Sequence, residues 1–76
     1  MNHIKTLEEI VRDAFENALA NPTVRRWESC SVVAGCAAVR MACDGRHYLA
    51  AQLEGVAEEA RRKAKELGRV PMELAA

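Results

Sequence analysis

An all-α fold is predicted for this chain by three observations. A capping box opens an amphipathic repeat, an uncharged stretch of small residues recurs at helical spacing, and a later segment pairs acids with bases four residues on. The expected arrangement is a three-helix bundle, or a helical hairpin with an N-terminal helix added. The alternative is an α+β fold with a β-hairpin turning at Asp44-Gly45, since Asp-Gly also favours a two-residue strand turn. All of it falls in a single small helical domain over residues 1–76, with helices at about 7–20, 22–43 and 46–67 and a tail at 68–76.

The first helix is defined at both ends. Thr6 and Glu9 stand three apart, so the hydroxyl can accept the Glu9 amide while the carboxylate reaches back to the Thr6 amide. Leu7, Ile10, Val11, Ala14, Phe15, Ala18 and Leu19 then form one apolar face, and Asn21-Pro22 bars continuation past Ala20. The same dipeptide suits the start of the second helix, with Asn21 as N-cap and Pro22 at the first helical position.

The second helix carries two apolar stripes side by side. Val24, Trp27, Ser31, Ala34, Ala38 and Met41 make one; Val32, Cys36, Val39 and Cys43 make the other. Residues 29–39 carry no charge, although 29% of the chain is Asp, Glu, Lys or Arg. Ala34, Ala38 and Ala42, with Gly35, offer a surface low enough for another helix backbone to approach closely. At Asp44-Gly45 the reading forks between a helical connection and the β-hairpin; the alanines at 37, 38, 42, 50 and 51 are poor strand residues and favour helix. In the third helix Leu49, Leu53, Val56, Ala60, Ala64 and Leu67 share a face. Glu58 with Arg62 and Glu59 with Lys63 are acid-first pairs, and Gly68 is the expected stop.

Composition narrows the function classes. Eleven basic residues balance eleven acidic ones, so the excess positive charge usual in nucleic-acid binders is missing. The balance is uneven along the chain: residues 22–46 hold Arg25, Arg26, Arg40 and Arg46 against Glu28 and Asp44. The longest uncharged run, eleven residues, is short of the roughly 20 that span a bilayer. Charges at Lys5, Glu8, Glu9, Arg12, Asp13 and Glu16 interrupt any secretory leader, so a cytoplasmic protein with reduced thiols is expected.

Little catalytic chemistry is legible. Cys30, Cys36 and Cys43 lie six and seven residues apart, which does not match the spacing of zinc ligands, and they read as small buried hydrophobes. Cys43, Asp44 and His47 can be drawn as a thiol, a carboxylate and an imidazole, but no Gly-rich loop or oxyanion site accompanies them. No catalysis, cofactor or metal is therefore expected. A 76-residue domain buries only about 60% of the surface its unfolded chain exposes, and two flanking helices with one stripe each leave part of the second helix uncovered. These features point to a protein-protein interaction module, such as a small inhibitor, adaptor or phage-type regulator, that occludes a protein partner and forms a homodimer. Its contact residues are expected at Trp27, Val32, Val39, Met41 and Tyr48. The alternative is a small helical nucleic-acid-binding regulator using Arg25, Arg26, Arg40 and Arg46.

Overall fold

The computed structural model describes residues 6–75, and side chains through residue 68. Three helices follow one another, and no strand occurs among the described residues: α1, Leu7–Ala20; α2, Val24–Cys43; α3, His47–Ala75. The arrangement is a helical hairpin of α2 and α3 with α1 laid along α2.

The capping box of α1 is fully made. The Glu9 amide donates to Thr6 Oγ1 at 3.1 Å, and the Thr6 amide donates to Glu9 Oε1 at 3.2 Å. At the other end Asn21 leaves the helix at φ −142° while its amide still donates to the Asn17 carbonyl at 3.1 Å. Asn21 is thereby committed to closing α1. The N-cap of α2 passes to Thr23, whose Oγ1 accepts from the Arg26 amide at 3.0 Å, and the helix begins at Val24 rather than at Pro22.

The fork at Asp44-Gly45 resolves to helix. Gly45 takes φ 81°, a left-handed value that other residues reach only with strain. Its amide donates to the Ala42 carbonyl at 3.1 Å, and the Arg46 amide donates to the Met41 carbonyl at 2.8 Å. This pair of bonds is the Schellman motif, in which the last carbonyls of a helix are satisfied by the chain that leaves it. Gly68, by contrast, does not end α3. A glycine stops a helix by turning left-handed, and among the described residues Gly45 alone has positive φ. The tail expected over 68–76 is therefore helix as far as residue 75; residue 76 lies outside the described residues.

The core is thin in atoms. Eight of the thirteen buried hydrophobic residues among those described are alanines, so each adds little apolar area and much of the gain comes from close helix approach. Along the hairpin Ala34, Ala37 and Ala38 of α2 pack with Ala50, Leu53 and Ala57 of α3, closed off by Met41 and by Val11 of α1. Toward the other end Trp27 supplies the bulk, packed with Cys30, Ala18, Ala60 and Ala64. Phe15 meets the Trp27 ring edge-on at 5.2 Å, and Lys63 Nζ stands 5.5 Å from its centre. Ser31, the one buried polar residue described, donates its hydroxyl to the Glu28 carbonyl at 2.7 Å and so carries no unmet hydrogen bond into the core.

The resulting body is flat. Its principal extents are 48 × 31 × 12 Å, and its radius of gyration is 14.1 Å. A compact chain of this length has a radius near about 11 Å.

Candidate protein-interaction surfaces

Because α1 and α3 flank α2 without enclosing it, the two stripes of α2 meet opposite fates. Trp27, Ser31, Ala34, Ala38 and Met41 turn inward and are buried. Val32, Cys36, Val39 and Cys43 lie on the other side of the helix and are exposed, Val32 by 63% and Val39 by 64%. Beside this strip Val33, Leu7 and Ile10 line a hollow of about 600 Å³ between α2 and α1, so the apolar surface continues across two helices. Among the described residues the charged side chains around the hollow are Arg40 and Asp44, which face each other at 3.7 Å (Nε to Oδ2).

A second apolar surface opens on the other side of the body, between α1 and α3. Val11, Phe15 and Leu19 from α1, with Leu49, Leu53 and Val56 from α3, line a groove of about 510 Å³ rimmed by Glu8, Arg12, Glu16 and Gln52. Sequence reasoning missed it. The signal was nevertheless present: Phe15 and Leu19 on α1, and Leu49 and Val56 on α3, lie at the edge of their stripes rather than at the centre, where a side chain reaches past the helix it packs on.

No protein-family model, curated protein or solved structure matches this chain. Its surfaces and thiols must therefore carry the functional argument.

Of the five residues expected at a partner surface, Val32, Val39 and Tyr48 are exposed, but they do not form one patch. Val32 and Val39 share the outer face of α2, whereas Tyr48, 77% exposed, stands on the first turn of α3. Trp27 and Met41 are 2% and 6% exposed and belong to the chain's own core, because both fall on the inner stripe. The cysteines divide in the same way. Cys30 is fully buried, and burial pushes its thiol pKa up. Cys36 and Cys43 are exposed, which corrects the expectation of three buried thiols: six residues after Cys30 the helix has turned to its outer side.

The remaining candidates are separate. Cys43 and His47 are exposed on either side of the Schellman turn, and the Asp44 carboxylate between them is directed to Arg40. Arg25, Arg26, Arg40 and Arg46 are all exposed, but Arg25 and Arg40 lie about 22 Å apart along α2 at the usual rise per residue. On α3 Arg62 pairs with Glu59 rather than with Glu58, its Nη2 donating to both carboxylate oxygens at 2.5 and 2.6 Å, and Lys63 Nζ adds a contact to Glu59 at 3.8 Å. The Arg62 hydrogen bonds hold the Glu59 carboxyl below its usual range. No group of three His, Cys, Asp or Glu among the described residues is arranged to hold a metal ion, and no described helix is long and apolar enough to cross a membrane.

Proposed function

We propose that this protein is a non-enzymatic protein-protein interaction module that works as a cytoplasmic homodimer, without a cofactor, and occludes the surface of a protein partner in the manner of a small inhibitor, adaptor or phage-type regulator. The observation that carries this reading is the exposed strip of Val32, Cys36, Val39 and Cys43 on a helix whose residues 29–39 bear no charge. A contiguous apolar patch exposed to water marks a place where another surface belongs. The flat body supports it, since a domain normally buries its apolar faces between two packed layers and this chain supplies one. The α1/α3 groove adds a second apolar surface on the opposite side, so self-association and partner binding need not compete for one face.

The test is the mass in solution, by light scattering after size exclusion, over a tenfold range of concentration. A species near twice 8.4 kDa is expected. A folded monomer throughout that range would remove the homodimer from this reading.

A further inference from the structure

Val32, Cys36, Val39 and Cys43 are spaced four, three and four residues apart. That order reads the same from either end, so a twofold axis that sets α2 antiparallel to its own copy lays the strip on itself. Four-and-three spacing is also the inner seam of a helix pair: Cys36 and Cys43 occupy one class of seam position, Val32 and Val39 the other. Packing one class against the other places Val32 opposite Cys43 of the second copy, and Cys36 opposite Val39 of the second copy. We infer that the outer face of α2 is a twofold self-interface in this antiparallel register, an inference that rests on the homodimer reading above and assigns its contact.

Gly35 supports it independently. It has ordinary helical φ, and among the described residues nothing outside its own turn of helix lies within 4 Å of where its Cβ would stand, so neither turn geometry nor internal packing calls for glycine there. Ala42, one heptad later, is exposed. In the inferred register Gly35 faces Ala42 of the second copy along one flank of the seam. Both lack bulk, and the two backbones can come close.

Charge selects the same direction. Glu28 precedes the strip, while Arg46 and His47 follow it. An antiparallel pair brings Glu28 toward Arg46 and His47 of the second copy and places Arg40 beside the uncharged Val33. A parallel pair would set Arg25, which lies in the seam seven residues before Val32, against its own like, an arrangement that like-charge repulsion disfavours. Adding a second layer behind α2 also gives the 12 Å thick body the depth it lacks.

Two variants test this. Gly35→Gln adds a side chain where the single chain has open space and removes a glycine from a helix interior, so helix content by circular dichroism should be kept while self-association weakens by about tenfold or more. A dimer unchanged by Gly35→Gln would overturn the α2 interface while leaving the homodimer intact; a monomeric native chain would overturn both. The second variant, Val32→Cys with Cys36→Ser, sets a new thiol opposite Cys43 of the second copy. Under oxidised glutathione it should give covalent dimer much faster than the native chain, whose nearest thiols in this register, Cys36 and Cys36 of the second copy, are offset by three residues, about 4.5 Å. Equal rates in the two proteins would overturn the register.

Discussion

Ala38 and Val39 are neighbours in the chain with opposite surroundings: 1% of Ala38 is exposed against 64% of Val39. Ala38 faces the alanine seam of α3, while Val39 faces water, although valine is the larger and more apolar of the two. Burial here follows the number of helices available to cover α2, and not the hydrophobicity of each residue. A chain of this length has helices enough for one side. The small residues went inward because close helix approach demands them, and the branched ones were left on a surface that another molecule can cover.

That contrast can be broken from the inside. Trp27→Ala should have the largest effect, about 3–5 kcal/mol, because it empties the bulkiest position of a core built mostly of alanine. Domains of this size are stable by only about 4–11 kcal/mol, so urea unfolding of this variant should begin at or near zero denaturant. An unchanged midpoint would contradict the inward placement of the ring. Ala38→Trp comes next, at about 3 kcal/mol, since the seam has no room for an indole. Its partner experiment, Val39→Asp, should leave helix content and cooperative unfolding intact in dilute solution, and comparable damage at both positions would erase the distinction between the two faces.

The finest probe of the same contrast is chemical. At a dilution that keeps the chain monomeric, a neutral alkylating agent should modify Cys36 and Cys43 quickly, whereas Cys30, buried and with its thiol pKa raised, should react only as the chain unfolds. Mass spectrometry over time would resolve two additions from the third. Three thiols reacting together would show that α2 does not keep an inner and an outer side.

Much of this was legible in the sequence. The capping box and apolar repeat of α1 are local, and both of its boundaries were readable. The helical connection at Gly45 was one of two readings, decided by alanines that fill strands poorly. The start of α2 was misplaced by two residues because Asn21 and Thr23 are both competent caps, and the sequence does not show that Asn21 is occupied in ending α1. The end of α3 was misplaced because glycine permits a stop without enforcing one. For the candidate surfaces, the two stripes of α2 were visible, but which one the flanking helices cover is a tertiary fact. Reading Cys36 and Cys43 as buried, and Trp27 and Met41 as contacts, relied on what each residue type usually does instead of the side on which it falls.

The turn closed by Gly45 has a consequence for the order in which the molecule assembles. It joins α2 to α3 through three residues, 44–46, so the alanines of the hairpin lie close along the chain to the partners they meet, and closing that loop costs little entropy. Contacts of such short range can zip outward from the bend on a fast timescale. Docking of α1 brings Ala18 into the cluster that also holds Ala60 and Ala64, residues far from it in the chain, and is expected to follow the hairpin that receives it.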